Sequence, residues 1–226
     1  MSIQTRYGSL ADRIEKACLS AGRDPREVTF VAVSKTVGPD EVAQAFSAGA
    51  RNFGENRPEG LLEKAPRFND ATWHFIGNIQ SRRIGDIVAH ADLVHSLYQA
   101  RHADKIDAAA REAGKVQDVL LEVNVSGEAS KSGLAPDEVE GMFEHCLGLA
   151  NLRVCGLMTM APQGDQSVAR ASFEGLRELR DRLKTAHPAC DDPRFMHDLS
   201  MGMSEDWREG IAAGATIVRI GRAVFD

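Results

Sequence analysis

The chain has 226 residues, enough for one large domain with a substantial core. A formal net charge of -6 leaves no excess of Lys and Arg to neutralise a phosphate backbone, so nucleic acid is not expected as a partner. No stretch reaches the roughly 20 apolar residues that a membrane span needs, and the N-terminus has no apolar signal core, which together predict a cytoplasmic protein with no membrane contact.

An amphipathic helix is expected ahead of the first strand. Val28-Thr29-Phe30-Val31-Ala32-Val33 is then a short, β-branched apolar run, followed by a 3.6-period segment over 40–48. This alternation is the signature of a βα unit. Further strands are predicted at 52–53, 72–76, 93–95, 116–125, 152–157, 195–196 and 216–220. Helical patterns lie near 55–65, 80–88, 99–113, 136–147, 165–186 and 205–213. Eight strands joined by crossover helices predict an α/β fold, a single TIM-type (β/α)8 barrel with an additional N-terminal helix, filling residues 1–226 as one domain. Ala48-Gly49-Ala50, Ala113-Gly114-Lys115 and Ala213-Gly214-Ala215 each stand between a helix and a strand, where Gly suits a left-handed helix C-cap. Residues 187–193 read as a polar turn before the seventh strand.

Four cysteines, Cys18, Cys146, Cys155 and Cys190, lack the paired spacing of a zinc site and are too few for a disulfide scaffold, so they read as reduced thiols. His95, His102, His145, His187 and His197 form no short ligand cluster, and no metal is expected.

In a parallel barrel the ligand site lies at the C-terminal ends of the strands. Lys35 ends the run Val31-Ala32-Val33-Ser34-Lys35, where burial at the edge of an apolar interior would make its amine nucleophilic toward a carbonyl. Taken alone, such a lysine more often extends into water. Leu199-Ser200-Met201-Gly202-Met203-Ser204 follows the seventh predicted strand, with Ser204 placed to cap the next helix and backbone N–H groups free to meet an anion. An ordinary capped loop explains that turn equally well. Arg219-Ile220-Gly221-Arg222 closes the eighth strand, and loops after strands seven and eight are where barrels hold phosphate. Arg219 in the barrel mouth can face the ring nitrogen of a pyridine cofactor, or pair with a strand-end carboxylate such as Glu122.

Eight blocks in this order carry a resemblance. They are Val31-Ala32-Val33-Ser34-Lys35-Thr36, Phe53-Gly54-Glu55-Asn56, Trp73-His74-Phe75-Ile76-Gly77, Val123-Asn124-Val125-Ser126-Gly127, Ser130-Lys131-Ser132-Gly133, Gly156-Leu157-Met158, Leu199 to Ser204, and Val218-Arg219-Ile220-Gly221. On these the chain resembles the pyridoxal phosphate homeostasis protein family, which shares its barrel with the N-terminal domain of alanine racemases. The resemblance implies pyridoxal 5'-phosphate (PLP) as cofactor, held as a lysine aldimine (Schiff base) on Lys35. It implies a phosphate held by Ser200, the Met203 backbone and the Gly221 turn, a ring nitrogen facing Arg219, and Asn56 and His74 lining the pocket. Arg222 is counted with the phosphate residues although the family usually carries a small hydroxyl residue there, and Arg57-Pro58 departs from the family's aromatic and polar pair.

The function implied is a PLP-binding protein of vitamin B6 homeostasis, supplying or buffering the cofactor, with no conventional catalytic activity and no catalytic residues assigned. PLP-dependent client enzymes are its implied transient partners, and a monomer is expected. The competing reading is a PLP-dependent amino-acid racemase, which needs a base on each face of the α-carbon. Only Tyr7 and Tyr98 exist as tyrosines, and only Tyr98 follows a predicted strand. A third reading is a barrel that binds another phosphorylated metabolite, with Lys35 as a charge partner.

Overall fold

The computed structural model describes residues 1–128, 131–188 and 194–226. Eight strands, β1 (Thr29–Val33), β2 (Asn52–Glu55), β3 (Thr72–Phe75), β4 (Leu93–Leu97), β5 (Gln117–Glu122), β6 (Leu152–Met158), β7 (Asp198–Ser200) and β8 (Ile217–Ile220), close into a barrel in sequence order. Every neighbouring pair is parallel, and β8 returns to β1 with Phe30 opposite Val218 and Val31 opposite Arg219. Such strands are buried on both faces, which is why they read as continuous apolar runs. Val31, Val33, Leu93, Leu120, Cys155 and Ile217 pack together as a separate cluster inside the barrel. Ala32, Phe53, Val94, Val119 and Val218 belong instead to the larger layer between strands and helices.

Helices α2 (Pro39–Ser47), α3 (Pro58–Lys64), α4 (Ile84–His90), α5 (Ala100–Glu112), α6 (Val139–Leu147), α7 (Gln166–Ala186) and α8 (Trp207–Ala213) follow β1 to β7 in turn. After β8 comes only the four-residue α9 (Arg222–Phe225), too short to cover its strand. The N-terminal helix, α1 (Ile3–Ser20), takes that place by packing against α8, α2 and α9. Ile3, Leu10, Ile14 and Cys18 form its buried stripe, at spacings that return to one helical face. Arg6 fastens the two termini, its Nε donating to the Val224 carbonyl at 2.8 Å and its Nη2 to the Phe225 carbonyl at 3.1 Å. The expected additional helix is thus the eighth member of the ring.

Gly49, Gly114 and Gly214 have φ of 99°, 66° and 105°, the left-handed conformation expected of them. Three expectations need correction. The seventh strand is not 195–196, because Met196 has a φ of 45° and cannot continue an extended chain. Phe195 is buried against Phe143 at 5.3 Å, and the strand begins at Asp198. Ser200 therefore lies in β7 and not in the turn after it. The helix that follows starts at Trp207 with Asp206 at its N-cap, so Ser204 does not cap it. Finally, β5 stops at Glu122, and Val123 beyond it forms an isolated bridge to Leu134 instead of continuing the strand.

Cys18, Cys146 and Cys155 are free and buried, as expected. Cys190, Ser130 and residues 189–193 of the polar turn lie outside the described residues. Among the described residues no helix is long and apolar enough to cross a membrane.

Candidate functional site

The C-terminal ends of the strands open onto a cavity of about 670 Å³. Apolar side chains of Val33, Ile76 and Met158 contribute to its lining, and Lys35, Asn56, Met203, Arg219, Gly221 and Arg222 meet around it. Six residues singled out in the sequence are thereby brought together from β1, β2, β8 and the β7–α8 loop. His74 and Ser200 do not line the cavity; both are buried within the barrel.

Lys35 occupies a turn that leaves β1, closed by the Val37 N–H donating to the Ser34 carbonyl at 3.2 Å. It is exposed, not desolvated as its position at the end of an apolar run suggested. Among the described residues it has no ion-pair partner. Asn56 is fixed from the neighbouring strand exit. A side chain at Gly77 would place its Cβ 1.9 Å from the Asn56 carbonyl oxygen, so only glycine lets β3 leave the barrel so close to it.

Below the cavity runs a buried chain of polar side chains. Arg219 donates from Nη1 to the Ser200 hydroxyl and from Nη2 to the Thr159 carbonyl, the latter at 3.1 Å. Ser200 Oγ meets His95 Nδ1 at 2.9 Å, His95 Nε2 meets His74 Nδ1 at 2.9 Å, and His74 Nε2 meets Asn52 Oδ1 at 3.1 Å. The amide oxygen of Asn52 can only accept, so His74 carries its proton on Nε2. A neutral His74 then accepts at Nδ1 from His95 Nε2–H, and His95 accepts at Nδ1 from the Ser200 hydroxyl. Every bond in the chain points from Arg219 toward Asn52, and the single Ser200 proton belongs to His95.

Burial keeps both imidazoles neutral. His74 is pushed down to about 4 by desolvation and then by the Arg219 charge, and His95 is held well below the ordinary histidine value by desolvation, His74 and Arg219. Arg219 itself falls to about 10 by burial, opposed by Asp206 and Glu122, and stays charged at neutral pH. Glu122 is pushed up to about 7 by burial, opposed by Arg219. The ion pair with Glu122 that sequence allowed for Arg219 is not the arrangement seen: its hydrogen bonds go to Ser200 and Thr159.

At the rim the charges are arranged differently. Asp206 Oδ1 accepts the Met203 N–H at 2.5 Å, and Arg222 Nη2 donates to Glu205 Oε1 at 2.7 Å. Two carboxylates thus occupy groups that the resemblance assigns to a phosphate.

Sequence reasoning set His95 aside as an ordinary histidine and did not single out Asn52 or Thr159. One signal was present: His74 and His95 each hold the third position of consecutive strands. Tyr98, the one tyrosine near a strand exit, donates to Asn78 Oδ1 at 3.2 Å and does not line the cavity. Away from the site, Glu140, Glu144 and His187 bring ligand atoms within 4.8 Å of one another on the surface, a grouping common without an ion.

A closed parallel barrel whose mouth gathers an exposed lysine, a buried arginine and two glycine-bearing turns defines the class of protein. The sequence matches the family described as "Alanine racemase, N-terminal domain" over residues 8–226. It is 39% identical to the pyridoxal phosphate homeostasis protein of Aquifex aeolicus, covering 100% of this chain and 98% of that protein. It is 40% identical to the protein of the same name from Pseudomonas aeruginosa, covering 99% and 95%. The structure of PipY from Synechococcus elongatus with PLP bound superposes with a TM-score of 0.85 at 29% identity, covering 100% of both chains. The chain belongs to the alanine racemase N-terminal domain family and, within it, to the pyridoxal phosphate homeostasis proteins.

Proposed function

We propose that the cavity holds PLP, with Lys35 forming a Schiff base to its aldehyde carbon, and that the chain buffers or supplies this cofactor to client enzymes without turning over an amino acid. The observation that carries the reading is that one cavity is lined by an exposed lysine, without an ionic partner among the described residues, and by a buried guanidinium. An amine so placed suits an aldehyde: it adds to the carbonyl carbon, and water leaves as the C=N bond forms. The relatives named for PLP homeostasis and the PLP-bound neighbour support the choice of ligand.

When bound, PLP supplies an electrophilic carbonyl and a pyridine ring. Arg219 is a donor only, so a ring nitrogen facing it remains an unprotonated acceptor, and the ring is a weaker electron sink than a protonated one. That suits holding the cofactor better than stabilising a carbanion. Racemisation needs a second base on the far face of the substrate, and Tyr98, engaged with Asn78 and outside the lining, is not placed to be one.

Absorbance before and after borohydride reduction, followed by peptide mass mapping, tests the proposal. A near-visible band that disappears on reduction, with a pyridoxyl mass on Lys35, is expected. Lys35→Ala is expected to lose band and adduct while keeping the wild-type melting temperature, because an exposed side chain contributes little to the core. Absence of both signals from wild-type protein with added PLP refutes the reading.

A further inference from the structure

Behind the Lys35 turn lies an ion pair with almost no access to water. Lys64, the last residue of α3, is 3% exposed, and Glu55, the last residue of β2, is 1% exposed. Lys64 Nζ donates to Glu55 Oε1 at 2.7 Å and to the Ser34 backbone carbonyl at 2.8 Å. The Ser34 hydroxyl donates to the same carboxylate oxygen at 2.5 Å.

These contacts converge on one residue. The Ser34 N–H donates to the Gly54 carbonyl at 2.9 Å, and its own carbonyl already closes the turn by accepting from Val37. With the hydroxyl on Glu55 and the carbonyl also gripped by Lys64, every polar group of Ser34 is bound. Lys35 is the next residue in the chain. Asn56, which lines the cavity from the exit of the neighbouring strand β2, is the residue after Glu55, so one buried pair holds the strand exits that present both. The helix is shaped to admit it: a Cβ at Gly60 would lie 2.3 Å from Glu55 Oε2, so the carboxylate rests against α3 only because residue 60 is glycine.

A buried ion pair is a poor way to gain stability, since desolvation offsets most of the attraction. A pair of apolar side chains would hold α3 to the barrel, but would leave the second lone pair of the Ser34 carbonyl without a donor. We infer that Lys64, balanced by Glu55, is a positioning residue that fixes the Ser34–Val37 turn and thereby aims the Lys35 amine. The inference rests on the proposed PLP-binding function. The two lysines differ in environment: Lys64 is tied to Glu55 and the Ser34 carbonyl and closed off from solvent, and Lys35 is exposed and lines the cavity.

The double variant Glu55→Gln/Lys64→Met, in the full chain, removes both charges while leaving an amide to accept from Ser34. Two readouts are needed: hydrogen exchange at the Val37 amide without ligand, and the rate of Schiff-base formation after PLP is added, with mass mapping of the reduced adduct. We expect a folded protein whose Val37 amide exchanges at least about tenfold faster, and whose Lys35 reacts on the order of tenfold to a hundredfold more slowly, the scale of loss for a misplaced reacting group. Should that variant not fold, Ser34→Ala removes the hydroxyl contact alone and is expected to shift both readouts in the same direction by a few-fold. A folded variant with unchanged Val37 exchange, or with faster exchange and an unchanged reaction rate, overturns the inference. If wild-type protein forms no Schiff base, the proposed function fails, and Val37 exchange alone still decides whether Lys64 fixes the turn.

Discussion

Arg219 and Arg222 stand on either side of Gly221, three residues apart, and the barrel treats them in opposite ways. Arg219 is 4% exposed and bonded to a hydroxyl and a carbonyl inside the barrel. Arg222 has a side chain 66% exposed and is paired with Glu205, itself 57% exposed. A buried cation must keep its partners, because losing them leaves a charge without solvation. An exposed one exchanges its partner for water or another anion at little cost. The interior of this mouth is therefore a fixed frame and its rim an adjustable one.

The largest effect is expected on breaking the frame. Arg219→Ala leaves the Thr159 carbonyl without its donor, removes a donor to Ser200 and opens a void within the barrel. A loss of about 3–5 kcal/mol in urea unfolding is expected, as for a broken buried ionic network. PLP retention should weaken, or the spectrum of the bound cofactor shift, in whatever protein remains folded. A variant with wild-type stability and an unchanged spectrum would remove Arg219 from the frame.

A change of pH probes the same frame without mutation. His74 is pushed down to about 4 in the folded protein against about 6.5 for an unfolded histidine, so the unfolded chain binds the extra proton in that window. Its contribution is present above pH 6.5 and is lost as pH falls toward 4, a loss of about 3 kcal/mol, with His95 acting in the same direction. Glu122 opposes them: pushed up to about 7 in the folded state, its contribution is present below the ordinary carboxylate range and is lost as pH rises through 7. Urea midpoints at pH 4.5, 6.5 and 8 are expected to be highest near 6.5, and Glu122→Gln to steepen the fall from pH 6.5 to 4.5 and to flatten the smaller decline toward pH 8. A Glu122→Gln midpoint that does not fall between pH 6.5 and 4.5 contradicts the neutral, buried histidine pair, because that variant lacks the opposing carboxyl.

The same contrast separates what was legible in the sequence from what was not. Strands buried on both faces write themselves as apolar runs, so most of the barrel could be read. β7 could not: three residues long and ending in Ser200, it was hidden beside the more apolar Phe195-Met196, which the left-handed backbone at Met196 excludes from a strand. Among residues at strand ends, Asn56 comes only with the resemblance, while Lys35, Arg219 and Gly221 are found by position along the chain. The frame beneath them is not, because Asn52, His74, His95 and Ser200 come from four strands and meet only across the closed barrel. Lys64 was not singled out, and Glu55 stood only within a block of the resemblance. Only the closing of α3 onto β2 makes them a pair.

The rim is expected to respond least in stability and most visibly in binding. Glu205→Gln removes an exposed ion pair, and its effect on unfolding should be on the order of 0.5 kcal/mol or less. Arg222 is then released beside the Gly221 turn, and one negative charge is withdrawn from the cavity wall. PLP affinity should rise roughly two- to fivefold at low salt and return toward wild type at high salt, as expected of a screened surface charge. Pyridoxal, which lacks the phosphate, should bind both proteins alike. An equal gain for both ligands would mean that Arg222 does not act through the phosphate, and would move it from the adjustable rim to a general role in shaping the mouth.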